Sequence, residues 1–211
     1  MVRFIVLRHG FSQGNREKLF TGQIDLPLDE EGVSQACSIA AFLLKNYQID
    51  RIYSSDLCRA VDTVKPLAKA LGLPIYTSTL LRETNEGIWQ GMRVEDVKTA
   101  YPQEFARYQE NPGRFHFLNG ECYTDVMLRG KRILQEIAEE NEGKTVVIAT
   151  HGGWIRAMRM YWQQLSADQI GALSRIPNGS VTVVEYHGDH ITLPCIGSTD
   201  HLVSKGTEAD I

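Results

Sequence analysis

Continuous apolar runs alternate along this chain with amphipathic stretches of helical period. Phe4-Ile5-Val6-Leu7 is apolar at every position, the pattern of a strand covered on both faces, as in a parallel sheet. Asp29 to Asn46 predicts a helix: Asp29 can cap it, and Val33, Ala36, Ile39, Ala40, Leu43 and Leu44 recur at helical spacing. Arg51-Ile52-Tyr53-Ser54 reads as a second strand. A helix from about Leu57 to Leu71 follows, stopped by Gly72 and Pro74. A third strand begins at Pro74-Ile75-Tyr76. Residues 93–110 predict two short helices, the second opened by Pro102, and Asn111-Pro112-Gly113 a turn. Residues 122–141 predict a helix with Val126, Ile133, Leu134 and Ile137 on its apolar side. The β-branched run Thr145 to Thr150 is the strongest strand signal, with a helix after it from about Gly153 to Gln163. Residues 181–186 and 190–193 flank His187-Gly188-Asp189 and predict a hairpin.

Strands alternating with helices, closed by a hairpin, predict a doubly wound α/β domain whose sheet is mostly parallel with an antiparallel edge strand. No linker or repeat divides the 211 residues, so a single domain over 1–211 is expected. Residues 204–211 are polar and read as a flexible tail.

Composition narrows the partners. Hydrophobic content is 43% and charged content 23%, ordinary for a soluble globular chain. A net charge of -4 gives no long-range pull on nucleic acid or anionic membrane, so an anionic ligand needs a local positive pocket. No apolar stretch approaches the ~20 residues of a membrane span, and the N-terminus lacks the form of a signal peptide. Cys37, Cys58, Cys122 and Cys195 form no CxxC pair and read as scattered buried thiols. They suit a reducing compartment, so a cytoplasmic address is expected. Whether the chain forms homo-oligomers is not legible.

The chemistry collects after the strands, where open parallel sheets bind ligands. Arg8-His9-Gly10 follows the first strand and Ser54-Ser55-Asp56-Leu57-Cys58-Arg59 the second. Leu81-Arg82-Glu83 follows the third and His151-Gly152-Gly153 the fourth. Arginine offers a planar fork of donors suited to phosphate, and histidine is neutral and nucleophilic near pH 7. The glycines after His151 remove side-chain bulk where a ligand could approach the backbone. Helix N-termini at the same edge are expected to add donors for an anion. Taken singly, Arg59 reads as a salt-bridged helix residue and Glu83 as a solvated loop carboxylate. Their convergence gives both another meaning.

Leu7-Arg8-His9-Gly10 with Ser12 and Asn15 resembles the signature of the histidine phosphatase superfamily, the phosphoglycerate-mutase-like proteins. Phe20-Thr21-Gly22, Leu28 to Gly32, Ser54 to Ala60, Leu81-Arg82-Glu83 and Thr150 to Gly153 continue that pattern nearly end to end. The resemblance implies a three-layer α/β/α fold. It implies that His9 is phosphorylated in turnover and that Arg8, Arg59 and a positively charged His151 surround the phosphoryl group. It makes Glu83 the proton donor and Asn15 a phosphate contact, and it adds Thr21, Gly22 and Gly152 to the substrate-binding set. No metal and no cofactor is implied, and the substrate is a small phosphomonoester.

Within that family, the chain is more similar to phosphatases than to mutases. After Glu83 it reads Thr84-Asn85-Glu86-Gly87-Ile88-Trp89-Gln90-Gly91 where phosphoglycerate mutases carry a Glu-Arg-His-Tyr-Gly-like run. Gln23 stands where those mutases have tryptophan. The segment before His151 is short, and Asn119-Gly120-Glu121-Cys122 resembles the phosphatases' Gly-Glu-Ser with cysteine for serine. Hydrolysis through a phosphohistidine is therefore expected, with a cofactor-dependent mutase and a non-catalytic phospho-ligand module as alternatives. Residues 85–125 are the expected lid and specificity insert. Trp89, Phe105, Tyr108, Phe115 and Phe117 serve as core or as an apolar wall over the substrate. Lys98, Arg107 and Arg114 are candidates for a second anionic group or for plain surface. His187-Gly188-Asp189-His190 reads as a solvated turn more than as a metal site.

Overall fold

The computed structural model describes residues 1–188 and 190–202. The expected tail at 204–211 lies outside the described residues. Six strands form one sheet: β1 (Val2–Arg8), β2 (Arg51–Ser55), β3 (Ile75–Ser78), β4 (Thr145–Thr150), β5 (Val181–His187) and β6 (His190–Ser198). Their order is β3-β2-β4-β1-β5-β6. The first four run parallel, with β1 beside β4. The antiparallel member is β5, which pairs with β1 one place in from the edge, and β6 returns outside it.

Seven α-helices accompany the sheet among the described residues: α1 (Gln13–Arg16), α2 (Glu30–Asn46), α3 (Cys58–Leu71), α4 (Val94–Ala100), α5 (Pro102–Glu110), α6 (Tyr123–Glu140) and α7 (Gly152–Trp162). The alternation of β1 side chains explains its unbroken apolar run. Phe4 and Val6 face a core shared with Leu134 and Ile137 of α6 and Trp154 and Met158 of α7. Ile5 and Leu7 face a second core with Ile39 and Leu43 of α2 and Val64 and Leu67 of α3. A strand covered on both faces has no polar side to show. The layers are therefore helix, sheet, helix, the expected doubly wound arrangement.

Local signals set the boundaries. Asp29 caps α2, its carboxylate accepting from the Gly32 N–H at 2.9 Å. Pro102 opens α5, where its missing N–H costs nothing. Two expectations about burial do not hold. Val33 and Leu44, assigned to the apolar face of α2, are 55% and 42% exposed. They lie at the rims of the stripe, beyond the arc that α3 and the sheet cover. The cysteines are not buried thiols either: Cys37 is exposed and the other three are half-buried.

A third cluster stands off the sheet. Phe20, Trp89, Val94, Val97, Phe105 and Phe117 pack together, with Tyr108 and Phe115 against them. No helix among the described residues is long and apolar enough to cross a membrane.

Candidate active site

Parallel pairing brings the two histidines together. Arg8 lies opposite Thr150 in the β1–β4 register, and the His9 N–H donates to the Thr150 carbonyl at 2.9 Å. The His9 and His151 rings follow at once, with centroids 5.1 Å apart and edge to face. His9 Nδ1 sits 2.7 Å from the Gly10 carbonyl. A carbonyl can only accept, so Nδ1 carries the proton and the Nε2 lone pair is free. The backbone of this turn is held from the far end of the chain. Gly179 N–H donates to the His9 carbonyl, and Asn178 Nδ2 reaches the His9 and Gly10 carbonyls and Asn15 Oδ1.

His151 is fully buried, and neither ring nitrogen has a hydrogen-bond partner. Buried polar atoms are almost always paired, so this ring is a candidate contact for a ligand. Burial and the cations Arg59 and Arg8 hold both histidines well below their ordinary value. Desolvation and the nearby guanidinium groups oppose the positive charge expected on His151. A neutral imidazole still offers one N–H to an anion.

Arg59, in the first turn of α3, is 1% exposed. It donates to the Ile24 and Gly22 carbonyls at 2.8 and 2.7 Å, which fixes the fork beside the histidines. Arg8 donates to the Ile176 carbonyl. Asn15 Oδ1 accepts from the Ser12 N–H and hydroxyl and from Asn178, so its amide NH2 is the end left for a ligand. Gly22 serves the site through its backbone, holding Arg59, and the Thr21 hydroxyl turns to the Leu19 carbonyl.

Glu83 reaches the same place from the end of β3. Its carboxylate accepts from the Thr84 and Trp154 N–H groups on Oε1 and from the Gly153 N–H on Oε2, at 2.8, 3.1 and 3.0 Å. The Gly153 and Trp154 N–H groups of α7 are thus spent on Glu83, whereas the sequence reading expected the helix N-terminus to offer its donors to an incoming anion. The two glycines serve this geometry. A Cβ on Gly153 would come within 2.4 Å of Glu83 Oε1, and one on Gly152 within 3.1 Å of Arg8 Nε. They clear room for the site's own side chains more than for a ligand.

Sequence reasoning missed several supporting groups. Arg129 of α6 donates to the Leu80, Arg82 and Glu83 carbonyls and pairs with Glu121. Glu121 Oε2 also accepts from the Asn85 N–H at 2.8 Å. The Gly120-Glu121 motif is therefore a clamp on the loop that carries Glu83. Gln23 Nε2 donates to the Glu83 carbonyl as well, at 3.0 Å.

A cavity of about 120 Å³ opens beside Arg8, Glu83, Gly152 and Gly153. Of the aromatic residues singled out, Tyr108 lines it, together with Phe20; the others pack mainly on one another. Glu86 lines it too, and burial with the nearby Glu83 charge pushes its carboxyl up to about 8. Lys98 and Arg114 turn away to surface ion pairs with Glu95 and Asp168, and Arg107 is exposed. Besides Arg8, the cations at the cavity are Arg156 and Arg175. Among the described residues, no cluster of three His, Cys, Asp or Glu side chains is set to hold a metal ion, and Asp189 of the hairpin turn lies outside them.

Comparison with known proteins gives one pattern. The family profile described as Histidine phosphatase superfamily (branch 1) matches residues 4–199. Phosphoserine phosphatase 1 of Hydrogenobacter thermophilus is 35% identical over 158 residues, 75% of this chain and 74% of that protein. A 2,3-bisphosphoglycerate-dependent phosphoglycerate mutase of Borreliella burgdorferi is 31% identical, over 90% of this chain and 88% of its own. Among solved structures, a mycobacterial glucosyl-3-phosphoglycerate phosphatase in complex with VO3 superposes with a TM-score of 0.83 at 31% identity. That match covers 93% of this chain and 99% of the other.

Proposed function

The chain belongs to the histidine phosphatase superfamily, and on that premise we propose that it hydrolyses a small-molecule phosphomonoester through a phosphohistidine on His9, without a metal ion. The observation that carries this is the paired imidazoles: His9 with its Nδ1–H committed to Gly10, beside a buried His151 with two unpartnered nitrogens. His9 Nε2 attacks phosphorus as the ester P–O bond breaks. Arg8, Arg59, the Asn15 amide and the His151 N–H take the equatorial oxygens, where charge concentrates. Glu83 gives its proton to the departing alkoxide. A water then attacks phosphorus and passes a proton to the Glu83 carboxylate, and the N–P bond breaks to release inorganic phosphate.

Phosphatase relatives of this length support hydrolysis. So does the Glu86 to Gly91 run, which lacks the mutase pattern. Residues 85–125 act as the specificity insert over one domain, and four free cysteines suit a cytoplasmic setting. The test is an acid quench with labelled substrate. Acid-labile label on His9 is expected, together with a kcat loss on the order of 10³-fold or more in His9→Ala. Near wild-type hydrolysis by that variant sinks the mechanism. Efficient transfer between 3- and 2-phosphoglycerate with little hydrolysis assigns the chain to the mutases.

A further inference from the structure

Glu86 is a second carboxyl beside the phosphate cradle. It follows Glu83 on the same loop, and both line the cavity of about 120 Å³, which has room for water. The loop is fastened on each side of it. The Asn85 N–H donates to Glu121 Oε2 at 2.8 Å, and Asn85 Oδ1 accepts from the Gly87 N–H at 3.0 Å. Gly87 has a φ of +55°, and a Cβ there would come within 1.9 Å of the Leu118 carbonyl oxygen. The turn that sets Glu86 against the cavity therefore needs glycine.

The two carboxyls meet different surroundings. Glu83 accepts from three backbone N–H groups, those of Thr84, Gly153 and Trp154. Glu86 meets one, that of Gly22, and its Oε2 is closed off from solvent without a hydrogen-bond partner. Donors suit a bare carboxylate, and a dry oxygen without donors suits the protonated acid. The charged groups near Glu86 are Glu83 on its own loop, Arg59 on α3, Arg8 on β1, Arg156 on α7 and Arg175 before β5. Tyr108 of α5 and Tyr123 of α6 also face the cavity, and burial pushes both hydroxyls up, so they stay neutral. Burial and the Glu83 charge outweigh Arg59 and push the Glu86 carboxyl up to about 8, so at pH 7 it carries a proton.

We propose that Glu83 and Glu86 form a carboxyl pair holding one proton between them, in which Glu86 stores the proton that Glu83 delivers to the departing alkoxide. The pair rests on the phosphatase reading above and supplies its proton. Two carboxylates at one dry site repel, so their last proton is shared and its titration belongs to the pair. In the resting site Glu86 is the acid and Glu83 the carboxylate. As His9 Nε2 bonds to phosphorus and the ester P–O bond breaks, the Glu86 proton passes to Glu83 and from it to the alkoxide, leaving both carboxyls ionised. When water attacks the phosphohistidine, one of its protons returns through Glu83 to Glu86 and the N–P bond breaks. The pair ends as it began. Glu86 acts through Glu83 and is a positioning residue for the proton.

The test is the pH profile of kcat/KM, which covers the steps up to transfer onto His9. Two probes are compared: glycerol 2-phosphate, an alkyl ester, and p-nitrophenyl phosphate, whose leaving group departs without a proton. For glycerol 2-phosphate the wild-type value is expected to fall as pH rises through about 8, where the pair loses its last proton. For p-nitrophenyl phosphate no such fall is expected. Glu86→Gln moves the alkyl limb to lower pH, because Glu83 loses the like charge that helps it keep a proton. At pH 7 the same variant lowers kcat/KM for glycerol 2-phosphate by roughly tenfold or more and spares p-nitrophenyl phosphate, and Glu86→Asp restores part of the loss. A wild-type alkyl profile that stays level through that range, or a limb that Glu86→Gln leaves in place, overturns the inference. So does a Glu86→Gln that lowers both esters alike. In each of these cases, His9-dependent hydrolysis of p-nitrophenyl phosphate keeps the phosphatase, whereas hydrolysis of neither ester overturns both. The wild-type profiles need no variant, so poor folding of Glu86→Gln leaves the inference exposed to failure.

Discussion

The phosphate cradle and the aromatic cap share the walls of one cavity and are built by opposite means. The cradle is polar and dry. Arg59 is fixed by two bonds to carbonyls of the loop at Gly22 and Ile24, and Glu83 by three bonds from backbone N–H groups, two of them in the first turn of α7. The cap is a knot of rings: Trp89 alone lies 5.0 to 6.1 Å from Phe20, Phe105, Tyr108, Phe115 and Phe117. Directional bonds hold a reacting geometry to fractions of an ångström. Ring contacts tolerate repacking. A family can therefore keep its chemistry and change its leaving group by altering one half only.

Three outcomes sharpen or break that contrast. The largest is expected at Glu83→Gln, which lowers kcat for alkyl phosphates by roughly 10²- to 10⁴-fold. The loss should be much smaller for p-nitrophenyl phosphate, whose leaving group departs without a proton. Equal losses for both esters remove Glu83 from proton transfer. Next is Trp89→Ala, expected to cost about 3 to 5 kcal/mol in denaturant unfolding, with acid-labile label still forming on His9 below the transition. Failure to form it shows that cap and cradle are not separable. The smallest concerns Glu86, at the seam between them. Its carboxyl is raised from 4.5 to about 8, so the folded state binds the proton more tightly than the unfolded chain. Its stabilising effect is full below pH 4.5 and is lost as pH rises through about 8. Glu86→Gln should therefore gain thermal stability over wild type as pH rises from 5 to 8.5. A difference in Tm that does not move with pH places Glu86 in contact with water.

The same contrast explains what was legible in the sequence. Cradle residues sit at strand ends, and strand ends are local signals: the apolar run before Arg8-His9 and the β-branched run before His151 each announce their edge. Asp29, Pro102 and Gly72 mark helix ends just as locally. Support from a distance leaves no such trace. Arg129 lies 46 residues from the Glu83 carbonyl it holds, and Asn178 lies 169 from His9, so nothing in their neighbourhoods points to the partner. Phe20 and Glu86 belong to quoted motifs, yet only the folded cap turns them towards the cavity. Val33 and Leu44 show the reverse error, since periodicity marks an apolar stripe but not how wide an arc the neighbours cover.

The place of β1 in the sheet bears on how the molecule is made. Its first neighbours in space are β4 and β5, with Arg3 opposite Thr145 and Val2 opposite Tyr186. A chain leaving the ribosome from its N-terminus therefore presents the strand that carries His9 long before either partner exists. His9 is thus synthesised 169 residues ahead of Asn178, which with Gly179 holds its carbonyl. Until β4 and β5 are made, the apolar run at Phe4 to Leu7 lacks both its strand neighbours, the kind of bare edge that pairs with other chains.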